Sequence, residues 1–475
     1  MTFSPSKTAK ATLVGLVLLA LALLRTACMA EPPPPPPPPV LTLHDILPIT
    51  NQRRYENIMP DPTAPWVQET LDNSHRIIPQ RHLREERLPD GSLTHAAAIR
   101  DIEYFFTMLQ GIYARYAYLG GDAVFFPVRD AILEQLAALE TITRENMARI
   151  LIETMTPVVN NNHFVIDFVQ LVTSAYFFEN GSAVFGRTEN GFYNTANNLY
   201  VTAIEGHELY DVFRLSLDRN GSFFYSPVVV LDYRPANYAI TIIYEDGTTE
   251  AITLRELQEL GRTRTRYSGM GSTHIDDIPL VYLTVNVPTG AADSSRFIRY
   301  ADALRGEPVV ILDLRGNRGG GGTLPGNWLY RLTGVRIPSN IFYIADGRIS
   351  SFDLFRNDPR TATEGFVHSD KIVIILINRR VASAGEIFVD YALNLENTLI
   401  IGQNTSGSLV TPSGLSRTLP NSEIEVIVPN AKIILPHVFV EGVGYAPDVW
   451  VHGGVDALDA ALAMLRHAGF NCRGD

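Results

Sequence analysis

Val309-Val310-Ile311-Leu312-Asp313-Leu314 runs straight into Arg315-Gly316-Asn317-Arg318-Gly319-Gly320-Gly321-Gly322, after which Thr323–Leu332 takes up helical spacing. A run that is apolar except for Asp313 reads as a buried strand, and the glycines that follow read as a turn into a helix. The same pattern recurs downstream. Ile372–Ile377 is a second buried strand, Ala384–Leu395 a helix and Thr398–Ile401 a short strand. Upstream, Val281–Val287 reads as a strand and Ser295–Leu304 as a helix. Uninterrupted Val/Ile/Leu strands alternating with helices predict a largely parallel sheet covered on both faces.

Working outward, residues 197–255 change character. Val228–Asp232 and Tyr238–Tyr244 read as strands, Glu245-Asp246-Gly247 as a turn and Glu250–Leu254 as the returning partner, which makes a small β-rich module. From about Asp61 to Gln170 the chain reads as mainly helical, with apolar residues at helical spacing through Ala97–Tyr118 and Ala131–Glu153. The aromatics Tyr104, Phe105, Phe106, Tyr113, Tyr116 and Tyr118 lie at that spacing and are expected in the core.

Eight prolines, Pro32–Pro39, form a stiff polyproline II spacer. Before them, Lys7 and Lys10 precede the apolar run Ala11–Leu24. Fourteen residues rise only about 21 Å as a helix, short of a bilayer core of about 30 Å, so the segment reads as a secretory signal. Cleavage after Ala30 fits a small-residue rule; the alternative is lipidation of Cys28. The expected layout is a signal peptide at 1–30, a Pro-rich linker at 31–60, a helical domain at 61–190, the β-rich module at 191–275 and the catalytic α/β domain at 276–465. An exported protein of the periplasm or cell envelope follows.

The 475 residues suit several domains. A formal charge of −12, falling to −15 once Lys7, Lys10 and Arg25 leave with residues 1–30, argues against a nucleic-acid binder. Two cysteines, Cys28 and Cys472, exclude a disulfide scaffold and a cysteine-based zinc site. No His/Asp/Glu grouping has metal-ligand spacing, and neither a metal nor an organic cofactor is expected.

Two turns remain as candidates for chemistry. The glycine turn exposes backbone N–H groups at a helix start, where they serve either a phosphate or an oxyanion. Phosphate-loop and dinucleotide spacings are missing. Arg380-Val381-Ala382-Ser383-Ala384-Gly385-Glu386 places one serine among small residues between strand and helix, where a nucleophile stands exposed. Taken alone, the serine reads more readily as a helix cap.

In order along the chain, DLRGN with its glycines, the buried strand, ASAGE, IGQNTSG and GVGYAPDVWV resemble the tail-specific (C-terminal-processing) serine peptidases over residues 276–455. The resemblance implies a crotonase-like α/β catalytic domain, with the 191–275 module in the place of a PDZ-like domain. It implies Ser383 as nucleophile and an oxyanion hole of Gly319, Gly320 and Ala384. Its usual lysine base stands 25 residues after the serine, where this chain has Ser408, and the frequent acid eleven residues after is Asn394. A Ser–Lys dyad is excluded. The chain is similar instead to the superfamily's Ser-His-Glu branch, which includes tricorn protease and the chlamydial protease-like activity factor. There the resemblance implies His163 as general base and Glu441, 58 residues after Ser383, as its partner. His437 and His274 are rival bases; Asp448 and Glu386 are rival acids. A protein or peptide substrate follows, and the alternative is an inactive homologue that binds a ligand or protein.

Overall fold

The structure is a computed structural model and describes residues 41–56, 91–173, 175–257, 265–337, 342–345, 348–351, 367–411, 414–434 and 439–470. The signal segment, the proline run, both cysteines and His437 lie outside the described residues. Leu41–Asp475 cluster as one unit.

The first element, α1 (Leu43–Glu56), lies inside the segment expected to be linker. It docks because Leu43, Ile46 and Leu47 are buried, each worth about 1.5–3 kcal/mol, and because buried Arg54 pairs with Asp448. Next come α2 (His95–Ile112), α3 (Asp122–Ala137) and α4 (Arg144–Val159). Thr94 caps α2 by accepting from the Ala97 amide at 3.0 Å, and Thr143 and Asn146 close a capping box at the start of α4. Phe105, Phe106, Tyr113 and Tyr116 are core as expected, whereas Tyr118 is half exposed.

Strands begin at Asn161, earlier than the helical span 61–190 allows. They are β1 (Asn161–Ile166), β2 (Val169–Leu171), β3 (Tyr176–Glu179), β4 (Phe185–Thr188), β5 (Gly191–Asn194) and β6 (Val201–Ile204). The short α5 (Leu209–Val212) precedes β7 (Phe213–Leu217), β8 (Phe223–Leu231), β9 (Tyr238–Tyr244) and β10 (Thr249–Glu256). The β-rich module therefore starts before residue 191, and it ends before β11 (Met270–Ile275), which pairs with β12 (Ile278–Leu283) in the catalytic sheet.

The strand–helix alternation then follows the sequence reading closely: α6 (Ala291–Ala303), β13 (Val309–Asp313), α7 (Leu324–Thr333), β14 (Phe342–Ala345), β15 (Arg348–Ser351), β16 (Ile372–Ile377), α8 (Ala384–Leu393) and β17 (Thr398–Gly402). The chain closes with β18 (Leu415–Thr418), β19 (Glu425–Val428), β20 (Ala431–Ile434), β21 (Val449–Trp450) and α9 (Ala457–His467).

Strands β12, β13, β16, β17 and β21 are parallel neighbours. Side chains alternate across them. Val310, Leu312, Val373, Ile375 and Ile400 pack under α6, α7 and α8. Ile311, Ile374, Leu376, Leu399 and Ile401 pack under α1 and α9. The predicted two-faced coverage is thus observed. This sheet runs on into the β-rich module through one register pair, Trp450 with Ser216, between β21 and β7. A buried polar chain spans that seam. Trp450 Nε1 donates to Glu179 Oε2 at 2.7 Å, Glu179 Oε2 meets His452 Nδ1 at 3.0 Å, and His452 Nε2 meets Ser226 Oγ at 2.6 Å. Ser226 Oγ in turn lies 2.7 Å from Ser216 Oγ.

A separate four-stranded sheet, ordered β18-β19-β1-β2, packs Phe164, Ile166 and Val426 against the α2–α4 bundle. It is this sheet that presents His163.

Candidate active site

Ser383 sits where β16 has ended and α8 begins, with φ 50° and ψ −120°. A serine pays to adopt positive φ, on the order of 1–3 kcal/mol, and keeps the conformation only if its surroundings impose it. The Glu386 carboxylate supplies that constraint: it accepts the Ser383 amide at 3.0 Å, the Gly407 amide at 2.8 Å, the Ser408 amide at 2.9 Å and the Thr405 hydroxyl at 2.6 Å. The Ser383 amide is shared with the Ser408 carbonyl at 3.1 Å. Burial pushes the Glu386 carboxyl up to about 7 against the pull of these donors.

The glycine turn abuts this serine. A Cβ on Gly319 would stand 2.7 Å from Ser383 Cβ, and one on Gly320 would stand 2.2 Å from the Val287 carbonyl oxygen. Both glycines have positive φ, 114° and 121°. Their amides differ. Gly319 N–H donates to Asn317 Oδ1 at 3.0 Å, which corrects its expected place as an oxyanion donor. The Gly320 and Ala384 amides have no acceptor among the described residues. Ala384 is also the first residue of α8, where unpaired N–H groups and the helix dipole favour negative charge.

His163 arrives on β1 because α4 ends at Asn160 in the left-handed region, φ 35°, and Asn160 Oδ1 accepts the Thr173 amide at 2.8 Å. The His163 ring is largely enclosed, and its Nδ1 is buried with no hydrogen-bond partner. Burial pushes its pKa down to about 4, so the imidazole is neutral at physiological pH. Glu441 Oε1 accepts the amide of Asn162 at 2.9 Å and Glu441 Oε2 that of Val410 at 3.1 Å. Burial raises the Glu441 carboxyl to about 7.

One loop ties the three candidates together. Asn162 Nδ2 donates to the Gly407 carbonyl at 2.6 Å, and the next carbonyl, Ser408, receives the Ser383 amide. Among the described residues no hydrogen bond joins the His163 ring to Ser383 Oγ or to Glu441. Glu441 acts on the backbone beside His163 rather than on its ring. Catalytic hydrogen bonds in unliganded enzymes are often long and tighten only with substrate.

The rivals lie elsewhere or are committed. Asp448 is held by Arg53, Arg54 and the Ile400 amide, and Glu386 by its four donors. His274 is exposed on edge strand β11. Asn394 donates to the Asp390 carbonyl at 3.0 Å, within its own helix. Sequence reasoning missed Arg379, whose guanidinium holds the carbonyls of Thr405, Gly442 and Val443; its only signal was the Arg379-Arg380 pair between β16 and the serine.

Residues 280–451 match the model of peptidase family S41. Over this segment the chain is similar to the peptidases of family S41. The match is to peptidases of the serine type. Among solved structures, mature CPAF complexed with lactacystin is similar at 14% identity and a TM-score of 0.42, covering 79% of this chain and 97% of that one. The photosystem II D1 C-terminal processing protease is similar at 14% identity and 0.39, covering 80% and 98%. Tricorn protease is similar at 13% identity and 0.35, covering 79% and 37%. No curated protein sequence matches.

Proposed function

We propose that the S41 domain is catalytically active, as an endopeptidase of the Ser-His-Glu type, in an exported protein. The observation that carries this reading is Ser383, held in a strained conformation at the head of α8 and facing the glycine turn. In the reaction, neutral His163 takes the Ser383 hydroxyl proton as Oγ attacks the peptide carbonyl carbon. The oxyanion accepts from the Gly320 and Ala384 amides. Collapse breaks the C–N bond, and the amine leaves with the proton carried by the imidazolium. Water, activated by the same imidazole, then hydrolyses the acyl ester. Glu441 fixes the strand segment beside the base. The β-rich module is read as PDZ-like and the parallel sheet with its helices as crotonase-like.

The test is labelling with a serine-reactive fluorophosphonate. Wild type is expected to react and Ser383→Ala to stay unlabelled. A second reading, an inactive homologue that binds ligand or protein, is favoured by the absence of a His163–Ser383 hydrogen bond; an unlabelled wild type that degrades no unfolded protein would establish it. Export rests on the leader. Mass spectrometry of the mature N-terminus distinguishes cleavage after Ala30 from lipidated Cys28.

A further inference from the structure

Arg379 stands four residues before Ser383, on the turn that leaves β16. Its Nη1 donates to the Val443 carbonyl at 2.7 Å and also to the Thr405 carbonyl, while Nη2 donates to the Gly442 carbonyl at 2.9 Å. One guanidinium thus grips two loops. The first, around 405–408, carries the carbonyl that accepts the Ser383 amide and the amides that hold the Glu386 carboxylate. The second is the turn immediately after Glu441. The same guanidinium lies 4.5 Å from the ring centroid of Phe177, on β3 of the β-rich module, and Phe177 stacks on Trp450 at 6.1 Å. A groove of about 530 Å³ opens beside it, lined by Tyr176, Phe177, Arg234, Arg379, Ser406 and Gly442 among others.

We infer that Arg379 is a positioning residue that makes the alignment of Ser383 and Glu441 depend on its contact with the β-rich module. The inference rests on the peptidase reading for its purpose but not for its geometry. Three carbonyl acceptors and an aromatic face use the planar fork of arginine, which a lysine point charge cannot reproduce. Charge-assisted hydrogen bonds of this kind are the strong ones, so their loss is felt well beyond the side chain.

Two measurements test it. In hydrogen–deuterium exchange of the full chain, Arg379→Ala is expected to speed exchange in both 405–410 and 441–444 by about tenfold or more, with β13 and β16 unchanged. Unchanged exchange in either loop overturns the inference. In the labelling assay, Arg379→Ala and Arg379→Lys are expected to slow acylation by a small fluorophosphonate at least about tenfold, and Phe177→Leu to slow it in the same direction. Millimolar guanidinium is expected to restore part of the Arg379→Ala rate. Wild-type rates in the variants, or a slowing matched by loss of folded protein and not rescued, overturn it. An unlabelled wild type bears on the peptidase reading alone, and the exchange result still decides this one.

Discussion

Glu441 reaches the amide of Asn162, the residue before His163, at 2.9 Å. The acid of the expected triad thus meets its base through the main chain of a strand. Its carboxylate also binds the Val410 amide, so it pins β1 to the loop that supports the nucleophile.

From this follows a pH dependence. Burial keeps His163 neutral down to about 4, whereas the Glu441 carboxyl protonates at about 7. Acylation is therefore expected to slow as pH falls through about 7, although the base itself is still competent. Glu441→Gln is expected to be slow and to show a shallower limb between about pH 5 and 8, the remainder coming from Glu386, whose carboxyl is also raised to about 7. Stopped-flow labelling across that range checks it; an unchanged limb in Glu441→Gln would assign the titration elsewhere.

Removal of the base has a larger consequence. His163→Ala is expected to lower the acylation rate by about 10²–10⁴-fold while leaving the fold intact, because among the described residues the buried Nδ1 of the ring has no hydrogen-bond partner to lose. Circular dichroism with the labelling rate separates the two effects.

Gly319 leaves no space for a side chain. Its Cβ would overlap Ser383 Cβ at 2.7 Å, and φ is 114°. Gly319→Ala is expected to cost about 1–3 kcal/mol of stability and to abolish labelling. Denaturant melts and the fluorophosphonate assay report each loss.

Asp390 is buried with one donor among the described residues, the Tyr445 hydroxyl at 2.7 Å, and burial raises its carboxyl from 3.8 to about 7. A group with a raised folded pKa stabilises fully below the unfolded value and loses that contribution as pH rises through the folded one. The protein is therefore expected to melt progressively lower from about pH 4 to 7. Asp390→Asn is expected to flatten the slope and to gain about 2–4 kcal/mol over wild type at pH 8. Thermal melts at both ends of the range decide it.

How much of this could be read beforehand depended on whether a residue's neighbours are local. Strands β13 and β16 and helix α8 were legible within a residue or two, because five or six consecutive apolar residues can only be buried. Ser383 and the glycines announced themselves by small-residue turns. Helix α1 was hidden: its hydrophobic stripe is thin and proline-flanked, and it is fixed by contacts with Asp448 and Asn397 across more than 340 positions. The Gly319 amide looked available until Asn317, two residues back, folded its side chain onto it. Arg379 could not be assigned from sequence at all, since its three acceptors come from two loops, 26 and more than 60 residues further along the chain.

The Trp450–Glu179–His452–Ser226–Ser216 relay has a mechanical meaning. It adds side-chain hydrogen bonds to the join where, among the described residues, one strand pair links the two halves of the long sheet, and so ties those halves together. On the proposed reading, a polypeptide reaches Ser383 past the surrounding loops rather than through a hinge at this join.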